Sequence, residues 1–314
     1  MALPAEPMSD QIELSDFQSH LVLSAFGPGA AILRAAYMQE SQPCPIRVEV
    51  RSGGEIHAVV LRISRNPGGV IRESAVFRAL ARLGVPVPDV LAGPMMDTGN
   101  PDLYEMGVNS LLPGETLLSL SDRGAKGLAL ASNLVVVAVR TLHDLTRLAE
   151  LDPVLSALPR RTLIDDLSAV VRRGGGWLSH PTVAMALIRL WAELKRIDTP
   201  LVFSNGDYQP ANFLTDGRRL TGLLDFEKAA FVDPLAVLPR FPVYDLWPLS
   251  QPDLMEHTLE SLGYSTREFA PRVAVFAIRT LQMQAPVVGG TERDLEWRTH
   301  VLGVLGQALD LMSR

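Results

Sequence analysis

The sequence predicts an α+β protein in two parts: a small antiparallel sheet carrying one helix, then a mainly helical region. Three observations carry this. Two β-branched stretches, 46–52 and 56–64, flank Gly53-Gly54, a dipeptide that supplies the positive φ angles of a tight hairpin. A helical stripe of Val70, Ile71, Ala75, Phe77, Leu80 and Leu83 follows and is closed by Gly84. From Glu115 onward the pattern turns helical, with apolar helices over 125–149 and 183–197 and further helical segments after Gln251.

The remaining elements follow in order. VPVPDVLAG reads as an edge strand led in by prolines, and DLYEMGVNSLL as another strand that stops at Pro113-Gly114. That stop places the boundary between an N-terminal lobe over 1–112 and a C-terminal lobe over 113–314. Gly174-Gly175-Gly176 forms a loop between helical regions, and only short runs around Leu201 and Leu223 look extended in the second lobe.

A chain of 314 residues, 47% hydrophobic and 20% charged, has enough apolar material for two lobes with separate cores. Its first ten residues, MALPAEPMSD, have two prolines and no periodicity, so they are expected to be disordered and not to act as a signal peptide. Apolar runs such as 134–139 are shorter than a membrane span, which predicts a soluble, cytoplasmic protein without membrane contact. The single cysteine, Cys44, excludes an internal disulfide or a cysteine-based zinc cluster and reads as an inert thiol. A net charge of -6 without a basic stripe argues against a nucleic-acid partner.

The chemistry concentrates in NGDYQPANF (205–213) and LLDFEKA (223–229). Asp207 and Asn212 are separated by four residues, a spacing that lets one loop present a carboxylate and an amide together. Asp225 returns in an Asp-Phe-Glu triplet on the following hairpin. Arg62 ends the strand AVVLRI, and Glu73 lies on the next helix, where such a cation finds an ion-pair partner.

These motifs, with LLPGETL, LHDL and FVDP, resemble the aminoglycoside phosphotransferase and choline kinase-like family, relatives of protein kinases, over roughly 46–247. The resemblance implies a bilobal protein-kinase-like fold that binds ATP between its lobes and transfers the γ-phosphoryl to a small-molecule hydroxyl. By the same resemblance Asp207 serves the accepting hydroxyl, Asn212 and Asp225 hold Mg2+, and Arg62 steadies the phosphates with Glu73 as its partner. Ser110 and Leu112 belong to the hinge whose backbone reads adenine. Asp245 is the preferred polar contact for the acceptor.

The chain departs from the family in two places. Asn205 stands where His usually opens the catalytic loop; asparagine can make similar backbone hydrogen bonds. No glycine-rich phosphate loop precedes Arg62: Gly27-Pro28-Gly29 lies too far upstream, and 39–45 contains no glycine. These departures keep a rival reading open, a nucleotide-binding pseudokinase that acts as a binding module.

His143 reads as a hydrogen-bonded core residue, and Asp233 as a brace of the catalytic loop. Glu227 touches either a second metal or solvent. Residues 251–314 hold eight acidic residues against six arginines, a bias too weak to choose an aminoglycoside over a sugar, macrolide or amino alcohol.

Overall fold

The structure is a computed structural model that describes residues 11–38, 44–98, 104–284 and 289–313. The expectations for the first ten residues, and for most of the glycine-free stretch 39–45, lie outside the described residues. The chain divides into two compact units. One gathers Met1–Glu115, Leu151–Ser156 and Asn212–Lys228; the other holds Thr116–Glu150, Ala157–Ala211 and Ala229–Arg314.

The first unit is built on five antiparallel strands, β1 (Ala31–Tyr37), β2 (Ile46–Ser52), β3 (Glu55–Ser64), β4 (Val90–Met96) and β5 (Glu105–Ser110), in the order β1-β2-β3-β5-β4. Gly53 and Gly54 turn β2 into β3 with φ of 60° and 87°, values that would strain any side chain. On one face Val48, Val50, Leu61, Met106 and Val108 form a core with Leu21 and Val22 of a helix, α1 (Asp16–Ser24). Sequence reasoning missed α1, although its signal is present. Ser15 and Gln18 exchange side-chain-to-backbone hydrogen bonds in a capping box.

Strand alternation sends Arg62, Ser64, Glu105, Gly107 and Asn109 to the opposite face, where the second helix, α2 (Gly69–Arg82), lies. A Cβ on Gly107 would stand 3.0 Å from Val70 Cγ1, so glycine permits the close approach of helix and strand. The N-cap of α2 is Gly68, which has no side chain to offer. Buried Glu105 replaces it from β5: its carboxylate accepts the N–H groups of Gly68, of Val70 at 3.0 Å and of Ile71 at 3.4 Å. A negative charge at the positive end of α2 therefore fixes the helix to the sheet. The hairpin of Phe213–Thr215 and Leu220–Leu223 completes this unit, and Leu223 N–H donates to Pro86 O at 2.8 Å.

In the second unit the apolar helix expected over 125–149 is two helices, Gly124–Asp144 and Thr146–Leu151. The break has a local cause. Thr146 Oγ1 donates to His143 O at 2.6 Å and accepts Phe203 N–H at 3.0 Å, which draws the backbone out of one continuous helix. Among the described residues the joint stretch Gly124–Leu151 has the length and hydropathy of a membrane span, but half of that window is buried, with Val135, Val139 and Leu142 in the core.

Short strands Arg160–Arg161, Ala230–Val232 and Val202–Ser204 pair into a small sheet, and the last of them leads directly into the loop 205–211. Asp233 follows this sheet and corrects an expectation. It does not brace the catalytic loop. Its two oxygens take Arg272 Nε at 3.0 Å and Nη2 at 2.7 Å, while Thr199 Oγ1 donates at 2.8 Å and Leu235 N–H at 2.9 Å.

Candidate active site

Arg62 is the centre of the first unit's polar cluster. Its Nε lies 3.0 Å from Glu73 Oε2, and its Nη2 lies 3.2 Å from Asp225 Oδ1 and 3.4 Å from Glu227 Oε2. Burial alone would lower the Arg62 pKa, but Glu73, Asp225 and Glu227 together outweigh it and raise the value. Glu73 is almost fully buried; burial pushes its carboxyl above the ordinary range, with Arg62 opposing. Its second oxygen accepts Phe226 N–H at 3.1 Å, so a single side chain on α2 holds both Arg62 and the residue after Asp225.

Asp225 has φ 56°, an uncommon backbone for a residue with a side chain, and this turns the carboxylate away from the hairpin register. Leu224 N–H donates to Asn212 O at 2.9 Å, which sets Asn212 beside the Asp225 turn. A carboxylate and an amide are hard oxygen donors of the kind Mg2+ prefers, and Mg2+ fills its remaining positions with phosphate and water. Among the described residues no three His, Cys, Asp or Glu side chains gather into a metal cage. That donor set fits a nucleotide-borne ion.

Glu227 does not face solvent. Ser64 Oγ donates to it at 3.0 Å, Asn66 Nδ2 donates to its other oxygen, and Arg72 Nη1 donates to its backbone O at 3.1 Å. A Cβ on Gly69 would come within 3.1 Å of its carboxylate, so the start of α2 is shaped around it. At the end of β5, Ser110 N–H donates to Asp89 O at 2.8 Å, and its hydroxyl accepts Asp89 N–H at 2.8 Å. Leu112 packs on the hairpin, where a Cβ on Gly222 would come within 2.7 Å of it.

In the second unit Asn205 closes on Asp207 from both sides. Asp207 N–H donates to Asn205 Oδ1 at 3.1 Å, and Asn205 Nδ2 donates to Asp207 O at 3.1 Å. Between them Gly206 has φ 79°, which suits glycine. The Asp207 side chain is only 4% exposed, and Arg240 Nε lies 3.0 Å from its Oδ1. The angle there is poor for a hydrogen bond, so this contact is an ion pair. Arg240 also donates to Gln209 Oε1 at 3.2 Å and stacks 4.8 Å over Tyr244.

Sequence reasoning missed Arg240. Nothing in the spacing of DPLAVLPR marks it, and only the fold brings it to Asp207. His143 Nε2 meets Tyr208 OH at 3.3 Å, and burial lowers its pKa to about 4. Asp245 is exposed, with φ 48°, and accepts Ser250 Oγ at 2.8 Å.

An antiparallel sheet with a buried strand-to-helix ion pair, together with a helical unit carrying the Asp207 loop, defines a kinase-like small-molecule phosphotransferase. Residues 47–238, more than half of the chain, match the model of the phosphotransferase enzyme family (APH), and the chain belongs to that family. Among solved structures it is similar to a thermostable mutant of aminoglycoside phosphotransferase APH(4)-Ia in ternary complex with ADP and hygromycin B. The identity is 17%, with 94% of this chain and 99% of that chain covered and a TM-score of 0.66. It is also similar to a choline/ethanolamine kinase family protein from Mesorhizobium loti, at 17% identity, 95% and 94% coverage and a TM-score of 0.56. The GDP and kanamycin complex of another aminoglycoside phosphotransferase aligns at 14% identity, 94% and 98% coverage and a TM-score of 0.60. No protein with a curated description matches.

Proposed function

We propose that this chain is a cytoplasmic, Mg2+- and ATP-dependent kinase that moves the γ-phosphoryl of ATP to a hydroxyl of a small molecule. The observation that carries the reading is the triad of Arg62, Glu73 and Asp225, in which Glu73 fixes a cation against the carboxylate proposed to meet the metal. Arg62 binds phosphate oxygens through its free face. Asn212 and Asp225 hold the metal, which draws charge from the transferring phosphoryl. Because the Ser110 N–H is taken by Asp89, the purine is read by the backbone at Leu112.

Asp207 orients the accepting hydroxyl and receives its proton as the oxygen bonds to the γ-phosphorus and ADP leaves. Asn205 supports this role by locking the backbone on both sides of the carboxylate. The solved neighbours hold ADP or GDP with hygromycin B or kanamycin, or belong to the choline/ethanolamine kinases, which supports a small alcohol as acceptor.

The test is ADP release with ATP, Mg2+ and a panel of small alcohols. Asp207→Ala should lower turnover about 10²-fold or more while ATP binding stays intact. Asp225→Asn should weaken MgATP binding and turnover together. Nucleotide binding without turnover of any alcohol would make the chain a binding module.

A further inference from the structure

Within the second unit, Arg161, Arg240 and Arg279 lie close enough to act on one another electrostatically, and Arg240 ties the group to Asp207. Arg240 pairs with Asp207 and stacks 4.8 Å over Tyr244. Tyr244 is edge-on to Phe276 at 6.2 Å and tilted against Trp297 at 6.3 Å. Arg279 sits 4.9 Å over the other aromatic, Phe276. A continuous aromatic wall therefore joins the two guanidinium groups. The third cation, Arg161, stands at the end of the short strand opposite Val232, and its buried Nε has no hydrogen-bond partner among the described residues.

Negative charge around this group is scarce. Asp166 reaches Arg279 only at 3.7 Å, and Asp207 is committed to Arg240, so among the described residues the ion pairs of this group set two carboxylates against three cations. Burial lowers the pKa of Arg279; Asp166 opposes this, and Arg161 and Arg240 add repulsion. An arginine does not shed its proton in response. The acidic residues between 251 and 310 that bias the sequence count are mostly exposed, so they do little to offset these partly buried guanidinium groups.

We infer that the acceptor carries an anionic group, a carboxylate or a phosphate monoester, held by Arg161 and Arg279 while its apolar part lies on Tyr244, Phe276 and Trp297. This rests on the proposed role of Asp207, which it places beside the acceptor. An anion would pair the free donors of Arg161 and relieve the repulsion among the three arginines. A polycationic aminoglycoside would add to that repulsion.

Inorganic sulfate is the first probe, added to the full chain saturated with MgADP and compared with sodium chloride at equal ionic strength. Sulfate should raise the melting temperature by about 3 °C or more in the wild type and by much less in Arg161→Gln and Arg279→Gln. Both variants should keep the wild-type affinity for MgADP. Equal responses to sulfate and chloride, or an undiminished response in both variants, would overturn the inference.

Turnover gives the second reading, with 3-phenyllactate and glycerol 3-phosphate set against 3-phenyl-1,2-propanediol, glycerol and kanamycin chloride. At least one anionic alcohol should exceed its neutral counterpart about 10-fold in kcat/KM, and whichever pair responds distinguishes carboxylate from phosphate. Arg279→Gln should raise the KM of that alcohol about 10-fold with the KM for ATP unchanged. Preference for kanamycin or the neutral alcohols would overturn the anionic site but leave the kinase reading intact. A sulfate response without turnover of any alcohol would uphold the anion site and remove the kinase reading instead.

Discussion

Glu73 Oε2 stands 3.0 Å from Arg62 Nε while its other oxygen holds Phe226 N–H, so the ion pair and the Asp225 turn share one carboxylate. Glu73→Gln keeps the shape but removes the charge that offsets a partly buried guanidinium. It should raise the KM for ATP several-fold and lower stability by about 1–3 kcal/mol, since a charged hydrogen bond at a buried site becomes a neutral one. Arg62→Met should raise the KM for ATP further, with less effect on the acceptor. Steady-state kinetics with each substrate varied in turn separate the two; an unchanged KM for ATP in both variants removes Arg62 from the phosphates.

The Asn205 clamp predicts a different pattern. Asn205→Ala loses two buried hydrogen bonds to the Asp207 backbone and should cost about 1–3 kcal/mol in chemical denaturation. Turnover should fall with little change in the KM for ATP, because the loosened residue serves the acceptor. Asn205→His, which restores the family's usual residue, should retain most of the turnover. If it instead raises turnover about 10²-fold, the native asparagine impairs catalysis.

What the sequence revealed follows from how local its signals are. The Gly53-Gly54 hairpin and the α2 stripe are set by neighbours within a few residues, and turn chemistry and periodicity expose them. Arg62 and Glu73 are legible because strand and helix are adjacent in sequence. Glu105, by contrast, caps α2 from more than thirty residues away, and a lone glutamate in a strand gives no sign of that. Arg161, Arg240 and Arg279 come from three separate segments. A count of charges along 251–314 takes in Arg279 but not Arg161 or Arg240, which lie upstream, and it weighs exposed carboxylates equally with a partly buried guanidinium. The break at Leu145 was hidden by Thr146, whose hydroxyl bonds depend on Phe203, a residue distant in sequence.

His143 gives the molecule a pH dependence. Burial holds its folded-state pKa near 4, below the unfolded value of about 6.5. The unfolded chain therefore binds the extra proton between those values, and stability rises with pH across the window. Its contribution is complete above about pH 6.5 and is lost as the pH falls toward 4, by about 1–3 kcal/mol after allowance for partial exposure. Urea midpoints at pH 5 and 7.5 should differ less in His143→Gln than in the wild type. Equal differences would mean that His143 titrates normally.

The pair of Asp233 and Arg272 is a deeply buried ion pair of the helical unit, with side-chain exposures of 2% and 5%. Asp233→Ala leaves Arg272 charged without its bidentate partner and frees the Leu235 N–H, so it should cost about 3–5 kcal/mol. Replacing both residues by apolar ones of similar size, Asp233→Leu with Arg272→Met, removes the desolvation penalty along with the attraction. That double variant should therefore be more stable than Asp233→Ala alone. Thr199 would still lose its acceptor, which keeps the double variant below the wild type. Because neither residue touches Asp207, the KM values for ATP and acceptor should stay unchanged in whatever fraction folds. A selective rise in acceptor KM in the double variant would instead place this pair in the acceptor site.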